Sequence, residues 1–164
     1  MKAFGKSGER LAVLRLCIVA VLGLPLSKPA SAEDWPFWRG ANRNDVPGED
    51  SRWDQQGWPP KDASWNVKVG EGASAPVVAG GTLFTLGWAD GTDTVMCLDA
   101  SSGKHLWEQS YSCPQYGRRS EGDKGLYSGP SASPAYDRET GLLYTLSTDG
   151  DLNCWDTKQN GQRV

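Results

Sequence analysis

Beyond position 32 the chain contains no isoleucine, and leucine, valine and phenylalanine together number only 18 over 33–164. So thin an aliphatic supply cannot furnish the apolar stripes of a helical bundle. Basic residues are short as well: 12 lysines and arginines face 19 aspartates and glutamates over the same stretch, a net charge of −7. A nucleic-acid partner calls for a basic stripe and is excluded. A single histidine, His105, and the absence of any C-x-x-C pair rule out a structural zinc site and His-based hydrolase arrangements. Phosphate-cradling glycine motifs of the G-x-x-x-x-G-K-[ST] and G-x-G-x-x-G types are missing too. What remains is distinctive. All eight tryptophans, 17 glycines and 8 prolines fall after position 32. Aromatics at this density exclude a disordered chain. Many turns with large flat side chains between them point to an all-β protein.

Positions 1–32 read as a secretory signal peptide. Lys2, Lys6 and Arg10 form a positive region, Leu16 to Leu26 an apolar run of eleven, and Ala30-Ser31-Ala32 a small-x-small cleavage site. A membrane-spanning helix needs about 20 apolar residues, and Arg15 and Pro25 bound this run well short of that. Cleavage is expected after Ala32, leaving a periplasmic or secreted protein with no transmembrane segment. Its cysteines, Cys97, Cys113 and Cys154, are odd in number. Cys97 and Cys154 read as small buried thiols in strands, and Cys113, beside Pro114 in a polar loop, as the exposed one.

Residues 33–62 are polar, without sustained periodicity, and read as an irregular extension. Ser64–Val69 alternates like a strand. From Gly72 onward short strand-like runs are divided by turn signals. The chain also repeats itself. Leu83-Phe84-Thr85-Leu86 matches Leu143-Tyr144-Thr145-Leu146, Cys97-Leu98-Asp99 matches Cys154-Trp155-Asp156, and Gly103 matches Gly161, at offsets of 57 to 60. A second register, at an offset of 42, links Trp65-Asn66-Val67 to Trp107-Glu108-Gln109. Propeller blades of four strands repeat at about 40–45 residues, and a polar insertion over 112–129 lengthens the other spacing. One blade spans 73–111, with strands expected near 74–78, 82–86, 94–98 and 105–109. A second, incomplete blade spans 130–164, with strands near 131–136, 142–147 and 152–155 and a fourth beginning near Gln162. Asp149-Gly150 is a favourable two-residue hairpin turn. The tryptophan matching Trp107 would stand at position 165.

Residues 97–107, Cys-Leu-Asp-Ala-Ser-Ser-Gly-Lys-His-Leu-Trp, resemble the A-x-D-x-x-T-G-x-x-x-W repeat of pyrroloquinoline-quinone (PQQ)-type propellers. Asp99, Gly103 and Trp107 match; Cys97 and Ser102 replace the Ala and Thr. In the second copy Asp156 and Gly161 match, an extra residue precedes the glycine, and Asn160 stands where Thr is usual. Trp35-Pro36-Phe37-Trp38-Arg39-Gly40-Ala41-Asn42-Arg43 also resembles a stretch that precedes the first blade in exported bacterial PQQ-like propellers. The resemblance implies a β-propeller of PQQ, or quinoprotein-repeat, type, of which about two four-stranded blades are present, as an N-terminal portion of a larger ring. It implies that Trp65 and Trp107 dock between adjacent blades, with Trp65 in an outermost strand donated to the closing blade. Trp155-Asp156 forms a WD dipeptide, but the Gly-His pair of WD repeats is absent.

A PQQ-dependent dehydrogenase of this type would hold the quinone over a tryptophan and bind calcium through carboxylate and amide oxygens. PQQ with calcium is thus implied by family resemblance only; no residues of this chain match that site one by one. Asp149-Gly150-Asp151-Leu152-Asn153 begins like a calcium loop but has Cys154 at the sixth position and Asn160 at the twelfth, and reads better as a turn. Arg118, Arg119, Lys124 and Tyr127, in the insertion, form a candidate binding loop, weighed against a solvated loop balanced by Glu121 and Asp123. Two functions follow as expectations. One is a non-catalytic scaffold with a protein or small-molecule partner on a propeller face, like the outer-membrane assembly lipoproteins of the same fold. The other is the N-terminal part of a PQQ-dependent alcohol or sugar dehydrogenase with its active residues beyond position 164.

Overall fold

Gly80-Gly81 and Asp90-Gly91 both place two consecutive residues at positive φ (57° and 77°, 50° and 79°). Such pairs match the right-handed twist of flanking strands and fold the chain into tight hairpins. The computed structural model describes residues 33–48, 62–114 and 129–164, all within one compact unit, Ser31–Val164. It is all-β. A first meander runs β1 (Val77–Ala79), β2 (Thr82–Ala89), β3 (Thr92–Asp99) and β4 (His105–Ser112); a second runs β5 (Ala135–Asp137), β6 (Leu142–Leu146), β7 (Leu152–Asp156) and β8 (Gln162–Arg163). Each forms a four-stranded antiparallel sheet with its strands in chain order. No helix among the described residues is long and apolar enough to cross a membrane. The proposed signal peptide and Arg118, Arg119, Lys124 and Tyr127 lie outside the described residues.

The two sheets share one core. Phe84, Leu86, Val95 and Cys97 on one face of the first sheet join Leu143 and Trp155 of the second in a single buried cluster, with Val77 and Ala79 of β1. Aromatic rings bridge the sheets. Phe84 stacks on Tyr136 at 5.4 Å between centroids, and Tyr111 on Trp155 at 5.8 Å. Flat rings supply here the area that scarce aliphatic side chains do not. Register is regular except at Cys97/Leu98, where an extra residue, Leu106, bulges from β4 and stands half exposed.

Three local expectations differ from the structure. Residues 64–69 form no ladder. They run extended, with Trp65, Val67 and Val69 half-buried and the residues between them exposed, because the described residues supply no strand beside them. Cys113 is fully buried rather than exposed. Its N–H donates to Gly91 O (2.8 Å), and its carbonyl accepts the Trp88 indole N–H (2.8 Å), which draws it under the β2–β3 hairpin. Asp149-Gly150 lies in a wider loop closed by Ser147 N–H to Asp151 O (3.0 Å). The added length lets the Thr148 hydroxyl reach Gly129 O (3.0 Å).

Candidate functional site: the blade junction and its groove

The repeat motif builds the same device twice. In the β3–β4 turn, Asp99 Oδ1 accepts from the backbone N–H groups of Ser101 (3.1 Å) and Ser102 (2.9 Å) and from both serine hydroxyls (2.6 and 2.7 Å). Those donors hold its carboxyl down at about 2. Gly103 N–H then returns to Asp99 O at 2.8 Å, with Gly103 at φ 70°. A Cβ on Gly103 would lie 2.5 Å from the Trp65 ring. Glycine therefore serves two needs at once: the left-handed turn and a seat for the indole. Trp65 is tied down by its N–H to Ala100 O (3.2 Å). In the second sheet Asp156 accepts from Lys158 N–H (2.9 Å) and Gln159 Nε2 (2.7 Å). A Cβ on Gly161 (φ 72°) would lie 2.5 Å from the Trp107 ring. The extra residue before Gly161 is absorbed by a 3₁₀ turn over Thr157–Gln159 that ends on Asn160 at φ 53°. Each tryptophan thus sits on the glycine of the following sheet.

Deeper in the junction a polar chain crosses from one sheet to the other. Tyr111 O–H donates to Asp93 Oδ2 (3.1 Å), and the Trp155 indole N–H donates to Thr145 Oγ1 (2.9 Å) beneath the Tyr111 ring. Asp93 is fully buried. Burial raises its carboxyl above the ordinary 3.8, against the opposing hydrogen bonds of Tyr111 and Cys113. Burial, then the Asp93 charge, likewise raises Tyr111. Cys97 is pushed up to about 12 by burial. Thiols held this far from ionisation are inert packing groups, not nucleophiles.

A second feature has no repeat to announce it. Trp35 pairs antiparallel with the free edge of β1, N–H to Val78 O at 2.7 Å and O from Val78 N–H at 2.9 Å. Pro36 O accepts from Tyr136 N–H of β5 (3.3 Å). Asp34 Oδ1 accepts from Gly80 N–H (2.8 Å), while its Oδ2 pairs with Arg138. Three consecutive residues therefore clasp the innermost strands and turns of both sheets. Beyond the clasp lies an open groove of about 500 Å³, walled by Pro36, Phe37, Tyr136 and Tyr144 with Arg138 and Glu139 at its rim. A smaller hollow of about 280 Å³ adjoins it, where Arg43 lies over Phe37 at 4.6 Å and Trp38 is exposed.

A quinone needs an open tryptophan face and a calcium ion needs convergent oxygens. Of the six described tryptophans, Trp65 and Trp107 are covered by glycines, Trp155 by Tyr111, and Trp35 by Gly40. Trp88 is anchored through its indole N–H to Cys113 O, and the Trp38 ring has the Arg39 guanidinium over it at 5.6 Å. No three His, Cys, Asp or Glu side chains converge on one point among the described residues.

Two four-stranded antiparallel sheets, packed face to face through a tryptophan-on-glycine dock, are blades of a PQQ-type propeller. Residues 44–118, which take in the Trp65 segment and the whole first blade, match the family model described as outer membrane protein assembly factor BamB, and over that stretch the chain is similar to PQQ-like repeat proteins. No curated protein matches the chain.

Proposed function

We propose that this chain is part of an exported, non-catalytic propeller that binds an extended protein segment in the groove beside the N-terminal clasp. The observation that carries the reading is the groove itself. Its walls are proline and aromatic faces, its rim is charged, and it is held in shape by both blades through Asp34, Trp35 and Pro36. Apolar walls with few polar groups at the margin suit a peptide backbone and its side chains. The matched family model, named for an assembly factor of outer membrane proteins, supports a protein partner and an extracytoplasmic setting.

The test is peptide binding by fluorescence anisotropy, using labelled extended peptides of alternating apolar and polar residues. Micromolar binding that falls at least tenfold in Phe37→Ala or Tyr144→Ala is the expected result. The competing reading, a PQQ-dependent alcohol or sugar dehydrogenase, predicts reduction of an artificial electron acceptor after addition of PQQ and calcium. Turnover on such a panel, with peptide binding indifferent to both substitutions, overturns the scaffold.

A further inference from the structure

Among the described residues, four buried side-chain polar atoms find no hydrogen-bond partner, and three of them belong to one place: Asp93 Oδ1, Asn153 Oδ1 and Asn153 Nδ2. That place is the junction between the blades. Asp93 is wholly buried and Asn153 is 1 % exposed. Asp93 alternates with Val95 and Cys97 on the buried face of β3, and Asn153 with Trp155 on that of β7. Register gathers them round one group. Asn153 lies opposite Thr145 on β6, and the Tyr111 hydroxyl that donates to Asp93 Oδ2 also reaches Thr145.

Two of the three atoms are oxygens, and the charge beside them has one sign. No lysine or arginine pairs with Asp93 among the described residues. Asp149, half-buried, lies near enough to add its charge to that of Asp93. It opens the segment Asp149-Gly150-Asp151-Leu152-Asn153, whose first, third and fifth positions carry the ligands in a calcium loop. The loop closed by Ser147 N–H to Asp151 O leaves the third position, Asp151, exposed. Asp149 and Asn153 remain at the junction, and Asp93 of the other blade stands in for the missing ligand. Water satisfies the hydrogen-bonding capacity of such oxygens but does not offset carboxylate charge out of solvent. A bound cation does both.

We propose that the blade junction binds a calcium ion between Asp93 Oδ1, the Asn153 amide oxygen and the Asp149 carboxylate. The donors are all hard oxygens, the set calcium takes, with water and main-chain carbonyls completing a flexible shell. Only two of the ligands are acidic, so no cluster of three His, Cys, Asp or Glu marks the site. The ion ties β3 of the first blade to β7 of the second. It involves no quinone, and it is independent of the peptide-binding groove.

Terbium, a luminescent substitute for calcium, tests this, because it is sensitised by nearby indoles and Trp155 lies in the junction against Tyr111. Titration of the full chain is expected to give tryptophan-sensitised emission that calcium displaces. Asp93→Asn and Asp149→Asn are each expected to weaken terbium binding by roughly tenfold or more, whereas Asp151→Asn changes it by less than about twofold. Urea midpoints give a second readout. Calcium, compared with EDTA, is expected to raise the midpoint of the wild type and to leave that of Asp93→Asn where it was. Wild-type emission that calcium does not displace, binding that survives both junction substitutions or falls equally in Asp151→Asn, or a wild-type midpoint indifferent to calcium overturns the proposal.

Discussion

At Gly161 a single hydrogen atom holds the place of a side chain so that an indole can lie flat on the backbone. Alanine there meets both a positive φ, unfavourable by roughly 1–2 kcal/mol, and the Trp107 ring at 2.5 Å. Gly161→Ala is expected to destabilise the chain by about 2–4 kcal/mol, read from urea midpoints, with a changed tryptophan emission as Trp107 lifts. Asp93 responds to pH instead. Its carboxyl is raised above 3.8 in the folded chain, so the unfolded chain releases that proton first. Stability from this group is complete below about pH 4 and falls as pH rises through the raised folded value. Asp99, held at about 2, acts in the opposite sense, and its contribution fades only as pH drops from about 4 towards 2. Asp93→Asn keeps an oxygen for the Tyr111 hydroxyl and removes the buried charge. Its urea midpoint, compared with wild type, is expected to gain as pH rises above about 4 and to level off once the folded Asp93 has ionised; an unchanged difference would contradict the assignment.

Among the elements, the N-terminal clasp is the contribution that local composition hides. Asp34 reaches the β1–β2 turn of one blade and Arg138 of the other, and both partners are remote from it in sequence. Asp34→Ala is expected to loosen both turns together. Amide hydrogen exchange should accelerate at Gly80 and along β5 while the β3–β4 turn stays protected. The tryptophan–glycine repeat, by contrast, is legible because two copies of an aspartate-to-glycine turn stand in one chain and their strands alternate. The blades themselves are legible for the same reason. Cys113 misleads because its polar neighbours in sequence are not its neighbours in space: Gly91 and Trp88 come from another hairpin. Residues 64–69 mislead in a different way, since alternation encodes an extended backbone but not whether a partner strand is at hand. The groove needs the fold, because Pro36 and Tyr144 are brought together only by the clasp.

For the whole molecule, the single cluster that joins the sheets means neither blade has a core of its own. Such arrays draw stability from nearest-neighbour interfaces, and the tryptophan–glycine dock gives those interfaces a direction. Every indole precedes its glycine in the chain, Trp65 ahead of Gly103 and Trp107 ahead of Gly161. During synthesis at about 5–20 residues per second, each ring emerges roughly 2–11 seconds before its seat exists. In that interval the ring face that the glycine will cover stands in water, although Trp107 already has Phe84 of its own blade beside it. Completion therefore sweeps from the N-terminus as a wave, each blade finished only by its successor. The growing chain carries one exposed tryptophan at its advancing front, a handle that a holding chaperone could grip until the next glycine arrives.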